Sequence, residues 1–314
     1  MAVTIRPIQP RDFDAVVTLW NRALPRDTTT AGRFLQWLVV NPDFNPATAE
    51  GAMVAEESGR VIGFARAIVR TWPNDTLGVE EDNGWIPVMF VAPERQRQGV
   101  GTKLLDACLA LFRERSRRRV WLCGNTGSAP GYLFPGVDRD AYAGAFAFFQ
   151  RRGFAVDHEP VAMSGSTLDY DFDRHRAEAW TPESSTGVEV RSLTPEMVMP
   201  FLAFLREAFP GDWNAVARAK LRTGRFDEVL LATIDGAVAG YCQWEGEHFG
   251  PFGVREDVRG KKLGAKLFCE AVRRIKAADG RTVWFNWADE GPARFYERHG
   301  LKVTRRFAIM RRDL

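Results

Sequence analysis

Residues 96–101 read Gln-Arg-Gln-Gly-Val-Gly, and 163 positions later residues 259–264 read Arg-Gly-Lys-Lys-Leu-Gly. Each stretch follows an apolar run with strand character and opens an amphipathic helical pattern. A period this long means duplicated domains, because solenoid repeats recur at a few tens of residues. A glycine-containing turn at a helix start presents backbone N–H groups, and the helix dipole adds positive potential there. The chain therefore carries one candidate anion site twice.

The duplication extends beyond the loops. Val3-Thr4-Ile5-Arg6 and Val188-Glu189-Val190-Arg191 both alternate as strands do, and each precedes a proline and a helical pattern, over residues 13–24 and 197–209. Paired strands follow, with turns at Ser58-Gly59 and Asp235-Gly236, which read as hairpins. A strand over residues 85–92 or 248–254 then leads into each loop. Behind the loops, Leu104, Leu105, Cys108, Leu109 and Phe112 keep helical spacing, as do Leu267, Phe268, Ala271, Val272 and Ile275. Val120-Trp121 answers Val283-Trp284. Phe148-Phe149-Gln150-Arg151-Arg152-Gly153-Phe154 answers Phe295-Tyr296-Glu297-Arg298-His299-Gly300-Leu301 at an offset of 147, so the first half holds an insertion of 16 residues within 124–142.

This pattern predicts an α/β chain of the α+β type. Two tandem domains are expected, residues 1–172 and 188–314, joined by a polar linker over 173–187.

Composition narrows the function classes. A net charge of +3 is too small to imply nucleic acid by itself. The run Arg113, Arg115, Arg117, Arg118 and Arg119 falls at an expected helix C-terminus, where cations are favourable. Cys108, Cys123, Cys242 and Cys269 lack metal or disulfide spacing, and the four histidines are scattered, so no metal site is expected. No run approaches the ~18 apolar residues of a membrane span. A cytoplasmic chain without membrane or nucleic-acid partners is the expectation, and the insertion is expected to cap a pocket or form a homodimer contact.

The stretch from Val91 and Ala92 through Gln96, Arg97, Gln98, Gly99, Val100 and Gly101 resembles the signature of the GCN5-related N-acetyltransferases. That signature is Gln or Arg, two residues, Gly, one residue, then Gly or Ala. The segment around Phe295-Tyr296 resembles the family's later helix-to-strand passage. The resemblance covers nearly the whole chain as a tandem pair. It implies acetyl-CoA (coenzyme A) as cofactor and a primary amine of a small molecule or peptide as acceptor. It also implies, in each half, a mixed, mostly antiparallel sheet flanked by helices, whose fourth and fifth strands splay to admit the pantetheine arm. A dinucleotide-binding loop would need G-x-G-x-x-G, which the spacing does not fit.

Carried onto this sequence, the resemblance implies cofactor contacts at Phe90, Val91, Ala92, Gln96, Arg97, Gln98, Gly99, Val100, Gly101 and Thr102. In the second half they fall on Phe252, Gly253, Val254, Arg259, Gly260, Lys261, Lys262, Leu263, Gly264 and Ala265, with Asn286 facing the pantetheine amide. Tyr296 takes the position of the acid that protonates the departing thiolate; the first half has Phe149 there, with Tyr132 or Tyr142 as substitutes. Glu247 is the preferred base in the second half and Glu81 in the first. Lys262 stands where the first half has Gly99, at a cost of ~1–2 kcal/mol if that position requires φ > 0. With Arg259, Lys261 and Lys266 it is expected to form a cationic rim. Transfer is expected in the second half, with coenzyme binding in the first. The alternative is an acyl-CoA-binding regulatory or scaffold protein with one or both sites degenerate.

Overall fold

The computed structural model describes residues 2–74, 77–124 and 129–314. The chain forms two compact units, Met1–Glu159 with Phe307–Leu314, and Pro160–Arg306.

Unit 1 begins with β1 (Thr4–Pro7), α1 (Phe13–Ala23) and α2 (Ala31–Leu38). The hairpin β2 (Ala52–Glu57) and β3 (Arg60–Ile68) follows, then β4 (Asn83–Val91), α3 (Val100–Glu114) and β5 (Arg119–Leu122). It continues through β6 (Val137–Asp138), α4 (Ala143–Arg151) and β7 (Ala155–His158). The β2–β3 turn holds Ser58 at φ 52° and Gly59 at φ 76°. Two consecutive positive φ angles match the right-handed twist of the flanking strands. β1 to β4 run antiparallel in that order, and β4 pairs parallel with β5. The apolar face of α3 is fully used: Leu104, Leu105, Cys108, Leu109 and Phe112 are at most 2% exposed.

Unit 2 comprises β8 (Val161–Ser166), α5 (Phe172–Ala179), α6 (Pro182–Ser185), β9 (Val188–Ser192), α7 (Val198–Ala208) and α8 (Trp213–Arg222). Next come β10 (Val229–Ile234), β11 (Ala237–Glu245), β12 (His248–Val254), α9 (Leu263–Ala277), β13 (Thr282–Ala288), α10 (Glu290–Arg298) and the start of β14 (Lys302–Asp313). Its hairpin repeats the turn, with Asp235 at φ 49° and Gly236 at φ 82°. The two aromatic-Gly segments also end alike. After α4, Gly153 N–H donates to Gln150 O at 3.0 Å and Phe154 N–H to Phe149 O at 3.1 Å; after α10, Gly300 donates to Glu297 at 3.0 Å and Leu301 to Tyr296 at 3.1 Å. Both are Schellman ends, with glycine in the left-handed conformation.

The compact units differ from the expected linear division at 172 and 188. β8 follows the first half in sequence but pairs with β13 and with residues 302–306 of β14. Residues 307–313 of β14 instead pair with β5, β6 and β7 of unit 1. Each half thus contributes its last strand segment to the other unit. Residues 173–187, expected as a linker, form most of α5 and all of α6, and α5 packs on α9. The expected insertion falls partly outside the described residues, at 125–128. Its described part supplies β6, and Tyr142 donates to Asp27 Oδ2 at 2.7 Å.

Candidate functional site: two coenzyme cradles

In unit 1, β4 and β5 pair only from Asn83 to Ile86, against Arg119 to Leu122. Cys123 N–H adds a last bond to Ile86 O at 2.9 Å, after which the strands part. The rest of β4 keeps β3 on one edge, and among the described residues no strand pairs with the other. Alternate residues of a strand face opposite edges. Ala92 N–H donates to Ile62 O at 2.9 Å, so Ala92 and Phe90 face β3 and Val91 faces the open edge. Gln96 Nε2 donates to Val91 O at 3.3 Å, from that open side. Of the expected stretch Phe90-Val91-Ala92, therefore, Val91 alone presents an N–H to the gap.

Above the gap stands the loop into α3. Arg97 has φ 57° and Gly99 φ 81°. Left-handed residues alternating with ordinary ones turn successive N–H groups to one side, a concavity that suits anions. No backbone N–H from 97 to 102 has a hydrogen-bond partner among the described residues. Gln96 N–H is spent on Pro93 O, at 3.4 Å. Gly101 lies under this cradle, where an added Cβ would stand 3.7 Å from both Phe148 and Val91. Arg152 completes the head of α3: its Nη2 donates to Thr102 Oγ1, and its guanidinium lies 5.5 Å from the centre of the Phe148 ring. Arg152 lies outside the loop signature; the one sequence signal for it is its alignment with His299, a position where the halves differ in charge.

Unit 2 repeats the backbone. Gly260 has φ 89° and Lys262 φ 60°, so the glycine and the long side chain exchange places between the two cradles. The position of Lys262 does require φ > 0, and the lysine stands there at a cost of ~1–2 kcal/mol. β12 and β13 meet at His248–Trp284 and then separate. Arg255 N–H donates to Ala239 O at 2.9 Å, which turns Gly253 toward β11 and Phe252 and Val254 toward the gap. N–H groups at Gly260, Lys262, Leu263, Gly264 and Ala265 have no partner among the described residues, while Lys261 N–H reaches Val258 O at 3.4 Å.

Two lysines beside this second cradle are committed elsewhere. Lys262 Nζ donates to Glu178 O at 2.7 Å, at the C-terminal end of α5. Lys266 is fully buried, donates to Ser184 O at 2.8 Å and Ser185 Oγ at 3.1 Å, and lies 5.3 Å from the Trp180 ring centre. Burial lowers its pKa. Arg259 faces Glu256 at 3.4 Å. Of the expected cationic rim, Lys266 is thus turned inward and Lys262 is drawn to the end of α5, while Arg259 and Lys261 stay exposed; the negative end of the α5 dipole stands beside the cradle. His299, in the place of Arg152, is buried against Tyr170 and His175, with ring centres 6.3 and 4.6 Å away.

Tyr296 is 6% exposed. Its ring centre lies 4.4 Å from that of Phe285, 5.5 Å from Phe268 and 6.1 Å from Phe252. Burial raises its pKa well above the ordinary phenol value, so it stays protonated. Phe252 also crowds Gly264, with 3.2 Å to an added Cβ. Rings therefore pack around Tyr296 and against the first turn of α9.

Glu247 sits at the closed end of the β12–β13 gap. Its Oε1 accepts from the N–H of Arg281 at 2.7 Å and of Thr282 at 3.1 Å, and its Oε2 from Thr282 Oγ1 at 2.5 Å. The Thr282 hydroxyl, followed by these amides, holds its pKa below the ordinary value. A carboxylate so satisfied is a strand clasp and a weak base, contrary to the expectation for it. Glu81 is exposed at the equivalent closed end in unit 1, where its carbonyl accepts from Arg117. Asn286 is half-buried on β13 with no hydrogen-bond partner among the described residues. Tyr142 is bonded to Asp27 rather than free to replace Tyr296. Among the described residues no helix is long and apolar enough to cross a membrane.

Two mixed sheets, each splayed beside a helix whose first amides are unspent, define a tandem acyl-transferase architecture of the GCN5-related class. Family models agree: residues 13–134 match the acetyltransferase (GNAT) family and residues 225–303 the acetyltransferase (GNAT) domain. The chain belongs to the GNAT acetyltransferase family, as a tandem protein. A comparison with curated proteins found no match. Among solved structures, a GCN5-related glucosamine N-acetyltransferase region of a fungal multi-domain GH3 β-N-acetylglucosaminidase is similar at TM-score 0.80 and 20% identity; the match covers 99% of this chain and 38% of that one. A GCN5-related N-acetyltransferase from Sphaerobacter thermophilus matches at TM-score 0.70 and 18% identity, covering 99% and 95%. A tandem GNAT protein from the clavulanic acid biosynthesis pathway matches at 0.63 and 17%, covering 99% and 98%.

Proposed function

We propose that this protein transfers an acetyl group from acetyl-CoA to a primary amine of a small molecule or peptide, and that unit 1 holds the coenzyme. The observation that carries this reading is the row of unpartnered amides at residues 97–102 beside the open edge of β4. Those amides, with Arg152, would hold the diphosphate. Bound acetyl-CoA supplies the acetyl thioester. Val91 N–H faces the gap and is the backbone donor placed to polarise a carbonyl there. With Phe149 unable to give a proton, the unit contributes mainly by positioning the two reactants, an effect that alone can supply several kcal/mol.

Unit 2 keeps the backbone of the cradle, but Phe252 crowds Gly264 and two of its lysines are spent on α5 and α6. Its role in this reading is structural, and Tyr296 is a packed ring rather than the acid. Free-thiol release over a panel of amines tests the assignment. Gly101→Trp should abolish release, and Tyr296→Phe should leave it within about twofold, since loss of a true general acid costs ~100-fold or more. A collapse in Tyr296→Phe with full activity in Gly101→Trp would move the chemistry to unit 2. Coenzyme binding without thiol release on any amine would favour an acyl-CoA-binding regulatory protein.

A further inference from the structure

Unit 1 contains a cavity of about 360 Å³ far from the cradle. It is lined by the C-terminal end of α3 (Leu111, Arg115), the end of β3 (Arg66) and the segment before β2 (Asp43, Phe44, Glu50). Leu111 and Arg115 lie 11 or more residues along α3 from its first residue, which is roughly 15–20 Å at helical rise. A molecule seated here would not touch residues 97–102.

The floor of the cavity is an unusual group. Arg66 is 1% exposed, yet no carboxylate lies within ion-pair distance of it among the described residues. Its Nη1 donates to Glu50 O at 2.8 Å and Ala67 O at 3.2 Å, and its Nη2 to Asp43 O at 3.0 Å. A guanidinium has five N–H donors, and these carbonyl bonds are three in number. Burial lowers its pKa to about 10, so it remains charged near neutrality. Its hydrogen bonds go only to carbonyls, with Asp43 and Glu50 acting on it from beyond ion-pair distance, so a further anion in direct contact would offset the cost of its burial.

The rest of the lining limits what that anion can be. Arg115 and Glu50 already pair with each other. Asp43 Oδ1 accepts from Thr71 and Trp72, while its Oδ2 has no partner among the described residues. One cation and one anion are therefore left, so a net-neutral guest balances the site and a multiply charged phosphate does not. Phe44, 5.3 Å from the Arg66 guanidinium, and Leu111 add apolar wall.

We propose that this cavity is a second ligand site, for a free α-amino acid whose carboxylate meets Arg66 and whose ammonium meets Asp43. Calorimetric titration of the full chain with L-leucine, L-phenylalanine and L-glutamate tests it. At least one should bind saturably, and its amide and its des-amino acid should each bind about tenfold more weakly or worse, because each loses one charged bond. Arg66→Met should abolish binding. Leu111→Trp, which fills the cavity without touching the Arg66 bonds, should do the same if Arg66→Met does not fold. The proposal is overturned if none of the three amino acids saturates below about 10 mM, if the amide binds as well as the acid, or if Leu111→Trp binds like the wild type.

Discussion

At the residue scale, the two cradles show what the backbone demands and what it leaves free. Both require left-handed residues at the same two positions. Unit 1 meets the demand with Arg97 and Gly99, unit 2 with Gly260 and Lys262. Glycine adopts this conformation without strain, whereas a side chain costs ~1–2 kcal/mol there. Strain of this kind persists where surrounding structure enforces it, often at ligand sites. An added Cβ at Gly99 would meet nothing within 4 Å, so any cost of a side chain there is conformational. Gly99→Ala should therefore destabilise the protein by about 1 kcal/mol in urea unfolding. Gly101 does not have a positive φ, and its Cβ would make ordinary contacts, so Gly101→Ala should be neutral or stabilise by about 0.4–1 kcal/mol. Equal effects of the two substitutions would show that the loop does not hold the left-handed geometry in solution.

At the element scale, α5 decides how unit 2 differs from unit 1. It runs antiparallel along α9, with Phe172 by Lys276 and Glu178 by Lys262. Between them His299 is enclosed by Tyr170 and His175, with Arg174 and Arg298 adding repulsion. Desolvation first, then the neighbouring His175 and these arginines, lowers the His299 pKa to about 4, from an ordinary value near 6.5. The sign follows directly: the unfolded chain takes the proton before the folded one does. Stability from this site is full above pH 6.5 and is lost as pH falls toward 4. The loss should reach roughly 2 kcal/mol, allowing for partial solvent access. Urea unfolding of wild type and His299→Leu at pH 7 and pH 4.5 isolates it, since other acid-titrating groups are common to both proteins. A pH dependence unchanged by the substitution would refute the burial of a neutral imidazole. The hairpins, α3, α9 and the aromatic-Gly ends were legible in the sequence, because turn chemistry and helical spacing are local. The role of α5 was not. Residues 173–187 are polar and aperiodic, and nothing local shows that Lys262 and Lys266 turn toward that segment rather than toward a phosphate.

At the scale of the whole molecule, the unreadable feature is which strand completes which sheet. Alternation shows that β8 and β14 are strands, but it cannot name their partners, since pairing carries no local mark. Sequence order therefore suggested 1–172 and 188–314 as self-contained halves. The structure instead completes unit 1 with residues 307–313, whose Phe307, Ala308, Ile309 and Met310 are at most 1% exposed. Fully burying each larger apolar side chain contributes about 1.5–3 kcal/mol. Ala308 and Met310 pack into the unit 1 core, and their burial with the ladders to β5, β6 and β7 is a large share of the stability of a typical domain, about 5–15 kcal/mol. Deleting residues 307–314 should accordingly unfold unit 1, although the cut lies almost 150 residues from its nearest other segment. Hydrogen exchange on the deleted protein should show β5 and β7 unprotected, while β10 and β11 of unit 2 keep their protection. For the same reason a fragment of residues 1–172 should lack a cooperative unfolding transition, and adding a peptide of residues 302–314 should restore one. Native protection of β5 in the deleted chain would mean that the first half closes its own sheet in solution, and that the strand exchange is dispensable for the cradle it adjoins.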